Sequence, residues 1–354
     1  MLYGATGYTG QLIAAEAVAR GHRPVLAGRS REKVEPLAAR LGLPWRAFGL
    51  EDPGRVRAAL DGVALVLHAA GPFTRTSRPM VDACLAARAH YLDITGELPV
   101  FVDLFARDVD ARAAGVCLLP GAGFDVVPSD CLLAHVSGRV GGARTLELAL
   151  AAVGQPSGGT ARSAVELLPG GNVERRGGRL VEIPFLRGAR QFPFPGREAW
   201  ALPSPLADLE TAAHSTGAAD IRTFLAVPGR LGRAVNAPVQ GAALRAGLGL
   251  LRTLMRVPAV KTAVGEAVHG ANEGPGEAAR EAGRSLLWAR AEGADGRTAE
   301  STLVTLEGYA LTQLTAVRAV EAVLAAAATG ARTPSQLLGA DFVLGLPRTQ
   351  RVDR

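Results

Sequence analysis

The chain has 354 residues, enough for two domains of ordinary size, with 48% hydrophobic and 20% charged residues and a formal net charge of +6. That mixture is that of a soluble globular protein. The positive balance is carried almost wholly by arginine, Lys33 and Lys261 being the only lysines, and with no aromatic-interleaved basic patch it points away from nucleic acid.

In chain order, Leu2 and Tyr3 lead into Gly4, Gly7 and Gly10 at the G-x-x-G-x-x-G spacing, and an amphipathic run from Gln11 to Arg20 follows. That is a strand, a tight turn and a helix start. A central parallel strand usually needs about five or six residues, so either the first strand is cut short or the true start lies upstream of Met1, and the second is the expectation. Pro24 to Ala27 is a short strand ending at Gly28, and Ser30 caps a helix from Arg31 to Leu41. Trp45 to Phe48 is a third strand, and Asp52-Pro53 starts a helix to Leu60. Val63 to His68 is a buried strand by its apolar run, ending at Ala69-Ala70-Gly71-Pro72-Phe73. A helix from about Arg78 to Arg88 follows, then a strand from Tyr91 to Ile94 and the turn Thr95-Gly96-Glu97. Phe101 to Ala114 reads as helix and Val116 to Leu119 as strand, closed by Pro120-Gly121-Ala122-Gly123-Phe124-Asp125. The alternation implies an α/β domain, a Rossmann-type parallel sheet with right-handed crossovers. Ligands of such sheets bind at the carboxyl ends of the strands, where every one of these glycine clusters falls.

Glycine at these spacings lets the backbone turn sharply and lets a pyrophosphate approach the main chain. The new helix adds its first N–H groups and the positive end of its dipole. The cofactor-binding set is therefore Gly4, Thr6, Gly7, Tyr8, Thr9 and Gly10 in the first turn and Gly28, Arg29, Ser30 and Lys33 after the second strand. Ala70, Gly71, Pro72 and Phe73, with Gly121 and Gly123, complete it at two later strand ends. An NAD-preferring site usually carries Asp or Glu at the second strand end to hold the ribose hydroxyls. Here Gly28-Arg29-Ser30 stands there with Lys33 nearby. A guanidinium pairs two phosphate oxygens and a serine hydroxyl donates a third bond, which favours NADP over NAD. The structural alternative for Arg29 is a solvated surface residue.

As an ordered set, these motifs resemble the saccharopine dehydrogenase-like oxidoreductases. They are Gly4 to Gly10, Ala27-Gly28-Arg29-Ser30, Gly71-Pro72-Phe73, Tyr91-Leu92-Asp93-Ile94-Thr95-Gly96-Glu97, and Pro120 through Asp125 to Val126-Val127-Pro128-Ser129-Asp130. Gly158-Gly159-Thr160-Ala161-Arg162-Ser163-Ala164 and the tail motifs Thr333-Pro334-Ser335-Gln336 and Gly339 to Leu344 resemble the branch that contains the trans-acting enoyl reductases of bacterial lipid synthesis. The resemblance spans most of the chain and is weakest between about Gly177 and Val264. It implies an NADP-binding domain over 1–130 with helices on both sheet faces, and a second α+β domain over 131–308 with a mixed or antiparallel sheet for substrate or oligomerisation. It also implies a C-terminal helix and tail over 309–354 that pack back on the first domain. The residues agree. Thr145 to Ala151 alternates as a strand, and Gly159 to Leu168 reads as a helix ending before Pro169-Gly170-Gly171. Leu180 to Ile183, Gln191 to Phe194 and Glu198 to Leu202 are short strands, and Ser204-Pro205 starts another helix. Ser285 to Ala291 and Thr298 to Leu306 flank the hairpin signal Asp295-Gly296, and Thr312 to Thr329 is an alanine-rich helix stopped by Gly330.

The stretch from about 226 to 270 stands apart as a basic, apolar, helical insertion. No acidic residue lies between Asp220 and Glu266, while Arg230, Arg233, Arg245, Arg252, Arg256 and Lys261 punctuate apolar runs. No run reaches the about 18 uncharged apolar residues that span a bilayer. Residues 226–264 are the candidate for peripheral membrane contact or for covering an acyl chain. The plainer reading is packing on the second domain or on a partner subunit, which leaves a homodimer open. Cys84, Cys117 and Cys131 lie in apolar runs without metal spacing, so reduced core thiols and no metal site are expected. No signal-like stretch precedes Gly4, so the expected location is cytoplasmic, membrane-associated if the insertion docks.

A nicotinamide cofactor carries the hydride; the protein places the substrate carbon and manages a proton. Near Gly71-Pro72-Phe73 and Gly121-Ala122-Gly123, the groups able to handle a proton are Tyr91, Asp93, Glu97 and Asp125. Tyr91, Asp93 and Asp125 are the catalytic candidates. Structural alternatives stand beside them: Asp93 and Glu97 flank a turn, with Glu97 as the cap of the next helix, and Asp125 and Ser129 are helix-start residues. His68 in a buried strand reads as core, and His135 is no better a catalyst. Tyr3, Tyr8, Tyr91 and Tyr309 all lack a lysine four residues on, which excludes the short-chain dehydrogenases. No cysteine stands in the small-residue turn of an acylphosphate reductase. Arg75, Arg78 and Arg162 are available to clamp a carboxylate, without a pattern that fixes them. The resulting expectation is an NADP-dependent oxidoreductase that transfers hydride to an enoyl, carbonyl or imine carbon of a small molecule or of an acyl-carrier-bound lipid or polyketide intermediate. The alternatives are a nucleotide-binding sensor or membrane-peripheral binding protein without catalysis, and an amino-acid-type imine reductase.

Overall fold

In the computed structural model, residues 1–152, 157–167, 171–270, 274–326 and 328–354 are described. They form two compact units, Met1–Val127 with Gly308–Gly339 and Pro128–Glu307 with Ala340–Arg354. The first opens with β1 (Leu2–Tyr3), α1 (Tyr8–Ala19), β2 (Leu26–Gly28), α2 (Arg31–Leu41), β3 (Trp45–Ala47) and α3 (Pro53–Ala59). It continues with β4 (Leu65–His68), α4 (Phe73–Ala87), β5 (His90–Asp93), α5 (Leu98–Ala106), α6 (Asp108–Ala114) and β6 (Cys117–Leu119). After α7 (Val127–Arg139) come β7 (Ala143–Ala152), α8 (Gly158–Leu167), β8 (Asn172–Arg176), β9 (Arg179–Ile183), β10 (Arg190–Phe194), β11 (Arg197–Pro203), α9 (Asp208–Thr216) and β12 (Asp220–Ala226). Then follow α10 (Gly229–Asn236), α11 (Pro238–Leu254), α12 (Pro258–Gly270), α13 (Glu277–Ala282), β13 (Arg284–Gly293) and β14 (Thr298–Leu306). The last elements are α14 (Gly308–Ala325), β15 (Gly330–Ala331), α15 (Pro334–Leu338) and β16 (Gln350–Asp353).

Local chemistry sets several boundaries where the sequence puts them. Asp52 Oδ1 accepts the N–H groups of Gly54 at 2.9 Å and Arg55 at 3.2 Å, with Pro53 at the first helical position of α3. Thr333 and Gln336 form a reciprocal capping box on α15. Gly42 takes the left-handed conformation that ends α2 after Leu41. Other boundaries differ. α4 begins at Phe73 rather than Arg78, because its cap comes from a distant loop. The expected helix from Phe101 to Ala114 divides at Arg107 into α5 and α6. Leu168, Pro169 and Gly170, the expected end of α8, lie outside the described residues.

The first sheet has the order β15-β6-β5-β4-β1-β2-β3, and every pairing in it is parallel. Both faces are covered. Ile13 and Ala14 of α1, Leu37 of α2 and Ala316 and Val323 of α14 build one core. Val56, Met80, Cys84, Leu104 and Ala111 from α3 to α6 build the other. The apolar run of β4 serves both, Leu65 and Leu67 on one side and Val66 on the other. Chain order reverses between β1 and β4, which opens a crevice outside the strand ends there. Gly330, expected as a helix stop, instead starts the seventh strand; its N–H donates to Val116 O at 2.9 Å.

The second sheet is mixed, in the order β10-β11-β12-β7-β13-β14-β16, with β8 and β9 attached at β12. β12 runs parallel to β7 and the remaining pairs are antiparallel. Ala149, Phe192, Phe224 and Trp288 share its core. β8 and β12 lie outside the strands the sequence predicts, as does β16, which pairs with β14 and covers that strand's free edge. The expected C-terminal body 309–354 is thereby corrected: it groups with the first unit only as far as Gly339 and with the second from Ala340. Among the described residues no helix is long and apolar enough to cross a membrane.

Candidate functional site

The three glycines of the first turn do different work. Gly4 lies at φ +85°, and a Cβ on it would stand 2.7 Å from the Ala69 carbonyl. A Cβ on Gly10 would stand 2.2 Å from Gly4 O and 2.9 Å from Ala5 Cα, so only glycine lets α1 press against β1. Gly7 is exposed, caps α1, and a Cβ there would meet only Gly4 O at 3.4 Å. One glycine makes the turn, one the packing, and one leaves the outer side of the loop open. The N–H groups of Gly4 and Ala5 both donate to Ala27 O, at 2.8 and 3.1 Å, which ties the turn to β2. α1 therefore starts at the carboxyl end of β1, with its positive dipole end at the crevice.

Beyond β2, Arg29 and Lys33 are exposed. Ser30, expected to donate to a phosphate, donates to Glu32 Oε2 at 2.8 Å. The adjoining cavity, about 440 Å³, is lined by Thr6, Gln11, Lys33, Pro36, Leu37 and Arg40. Lys33, Leu37 and Arg40 recur at helical spacing and share one face of α2. No carboxylate lines the cavity, and among the described residues neither Lys33 nor Arg40 forms an ion pair. Arg40 was missed in the sequence, although its seven-residue offset from Lys33 was a usable signal.

At the next strand ends the loops are tied by side chains. Thr76 Oγ1 donates to Ala70 O at 2.6 Å and to Pro72 O at 3.1 Å. Glu97 does cap a helix, but the preceding one: its carboxylate accepts the N–H groups of Phe73 at 2.9 Å and Thr74 at 2.7 Å, closing the start of α4. Asp93 Oδ1 accepts from Thr95 N at 3.1 Å and Gly121 N at 2.9 Å, and Oδ2 accepts the Tyr91 hydroxyl at 2.9 Å. Tyr91 and Asp93 have no exposed surface. Two of the three expected catalytic groups are thus locked inside the sheet end, where their bonds hold loops in place. Burial pushes the Asp93 carboxyl up to about 7, against its backbone hydrogen bonds. His68, packed among Tyr3, Phe73 and Tyr91, is held at about 4 by burial.

Asp125 is the exception among the three. Its side chain is exposed and lies over Gly96, where a Cβ would meet Oδ2 at 2.9 Å. Crowding by the surrounding protein, then the Glu97 charge, raises its carboxyl to about 6. Gly121 adopts φ +75° against Phe101 and Val126, a conformation that favours glycine.

α14 supplies groups no local motif revealed. Thr312 Oγ1 accepts the Phe124 N–H at 3.0 Å, and Thr315 Oγ1 donates to Ala122 O at 2.8 Å. A Cβ on Gly123 would meet Thr312 Cγ2 at 3.0 Å. The Tyr309 ring stands edge-on to Tyr8 of the glycine turn, centroids 5.0 Å apart. Arg75 and Arg78 are exposed on α4, while the side chain of Arg162 lies outside the described ones. His135 bonds to Asp353 at 2.9 Å.

The glycine turn and the crevice at the reversal of strand order are features of the Rossmann class of dinucleotide-binding domains. A family model described as NAD(P)H-binding matches residues 4–92. The trans-acting enoyl reductase of Mycobacterium leprae is 36% identical over 161 residues, 42% of this chain and 37% of that protein. Rv2449c of Mycobacterium tuberculosis, which carries the same name provisionally, is 35% identical over 243 residues, 60% of this chain and 56% of its own. The chain thus spans about half, or less, of the length of the curated relatives it matches. Apo saccharopine dehydrogenase (L-Glu forming) from Saccharomyces cerevisiae has a TM-score of 0.62 at 13% identity, covering 100% of this chain and 99% of that one. Residues 4–92 are thus matched by an NAD(P)H-binding model, the chain has the saccharopine dehydrogenase-like fold, and part of it is similar in sequence to the trans-acting enoyl reductases.

Proposed function

We propose that the protein is an NADPH-dependent reductase that delivers hydride to an unsaturated or carbonyl carbon of an acyl intermediate presented by a carrier protein. The cavity beside the glycine turn, lined by Lys33 and Arg40 and by no carboxylate, carries the choice of NADP. The name of the sequence relatives supports an enoyl acceptor.

When bound, the nicotinamide supplies the hydride. The residues of the chain do the rest. The glycine turn receives the pyrophosphate, and Arg29, Lys33 and Arg40 neutralise the 2′-phosphate. The loop Ala70–Phe73, held by Thr76 and Glu97, and the loop Gly121–Phe124, held by Asp93 and the α14 threonines, shape the seat of the ring. Asp125 gives the proton to the acceptor. Its exposure and its value of about 6 suit proton transfer near neutral pH. Tyr91 and Asp93 act as positioning residues.

The test is fluorescence titration with NADPH and NADH, followed by cofactor oxidation with enoyl, carbonyl and imine substrates, free and carrier-bound. The expected result is NADPH binding at least tenfold tighter than NADH, about 1.4 kcal/mol, with oxidation on enoyl thioesters. Binding without oxidation of any substrate class leaves a nucleotide sensor, the reading favoured by two locked acids. Oxidation on imines alone moves the activity to the imine reductases. Failure of both nucleotides to bind overturns the proposal.

A further inference from the structure

α11 is apolar on two opposite faces. Leu244 and Leu248 pack with Leu186, Leu202 and Val235 in one cluster. Half a helical turn away, Val239, Leu250 and Leu254 are 82%, 63% and 48% exposed. Ala243 and Ala246 are exposed between them, so the row 239-243-246-250-254 follows the three-four spacing of one helix face. Val257 and Val260, also exposed, continue the apolar surface beyond the helix end. Single exposed apolar residues are ordinary, but a contiguous row calls for a covering surface.

Along the chain, the charge flanking this row is of one sign. No acidic residue occurs between Asp220 and Glu266. Arg230, Arg233 and Arg256 are exposed, Arg245 is half-buried, and among the described residues none of the four forms an ion pair. A second copy meeting this face across a two-fold axis would bring together two copies of a segment that itself carries no carboxylate. An acidic protein would have to offer an apolar row in register with its carboxylates. The edge of an anionic bilayer answers both: apolar side chains enter the acyl boundary while guanidinium groups stay at the phosphates.

We infer that α11 docks flat on an anionic lipid surface, Val239, Leu250 and Leu254 inserting and the neighbouring arginines holding lipid phosphates. A helix of 17 residues offers about 25 Å of contact. The inference stands apart from the cofactor reading, and its test needs no turnover.

The experiment is flotation of the whole chain with phosphatidylcholine vesicles, with and without phosphatidylglycerol. The chain is expected to float only with the anionic vesicles and to be released by high salt. The variant Leu250→Glu/Leu254→Glu should stay unbound while keeping the wild-type circular dichroism spectrum and melting temperature. Arg230→Gln/Arg233→Gln/Arg256→Gln, which leaves the apolar row intact, should partition roughly a hundredfold more weakly. The idea is overturned if the wild type ignores anionic vesicles, or if both variants float as it does. A dimer that the glutamate variant splits, without vesicle binding by the wild type, would assign the row to a second copy and overturn it equally.

Discussion

The carboxylate of Asp93 accepts the backbone N–H of Gly121 at 2.9 Å across 28 residues of chain. The same oxygen takes the Thr95 N–H, so one buried group ties together the loops after β5 and β6. Because burial raises Asp93 to about 7, the folded protein holds its proton more tightly than the unfolded chain, whose carboxyl titrates near about 4. The resulting stability is fully present below about pH 4 and is lost as pH rises through about 7. Asp93→Asn keeps an acceptor for both N–H groups and removes the titration. The melting-temperature difference, wild type minus variant, should therefore fall between these pH values. His68, held at about 4, works in the opposite sense, its contribution being lost as pH falls, but it is common to both proteins and cancels. A difference independent of pH would refute the assignment.

Glu97 closes the first turn of α4 with both carboxylate oxygens. Glu97→Gln leaves one acceptor oxygen for two N–H groups and should cost about 1–3 kcal/mol, with Glu97→Ala costing more. Urea unfolding measures both. Equal stability of all three proteins would show that solvent serves the helix start as well as the side chain does.

The glycines of the turn should separate stability from binding. Gly10→Ala forces a Cβ to 2.2 Å from Gly4 O and should destabilise by about 1–3 kcal/mol, with loss of nucleotide binding. Gly7→Ala meets only a 3.4 Å contact, so the melting temperature should hold while NADPH and NADH both bind more weakly. Identical effects of the two substitutions on stability would show that α1 adjusts at Gly10.

Lys33 and Arg40 should act on one cofactor only. Lys33→Ala and Arg40→Ala are each expected to weaken NADPH about tenfold, roughly 1.4 kcal/mol, and to leave NADH unchanged, as read by fluorescence titration. Parallel losses for both nucleotides would assign the two cations to the part the cofactors share.

Asp125→Asn should lower turnover by roughly 10²–10⁴-fold with the NADPH dissociation constant unchanged. Since the protonated form is the donor, wild-type turnover should decline as pH rises through about 6, and the variant should lose that limb. A variant with wild-type turnover would remove Asp125 from the reaction.

Much of this is legible in the sequence. The span of α2, the cap at Asp52, the roles open to Gly4, Gly7 and Gly10, and the placing of each glycine cluster at a strand end follow from side-chain periodicity, turn chemistry and capping. All of these act within a few residues along the chain. A parallel sheet buried on both faces also writes itself as continuous apolar runs, as Leu65 to His68 does.

The sequence by itself determined the fold class, the glycine turn and the basic character of the second strand end, because each is specified by neighbours in the chain. The tertiary structure alone decided which acids are free. Tyr91, Asp93 and Asp125 look alike as a linear motif, yet the Tyr91 and Asp93 side chains are consumed by a backbone amide 28 residues away and by each other, and Asp125 stays open. It also decided that Glu97 caps the helix before it, that Thr312 and Thr315 brace the loop after β6, and that β16 joins the second sheet. The physical reason is the same each time. A buried hydrogen-bonding group must find a partner, and nothing in the local sequence says how far along the chain that partner lies.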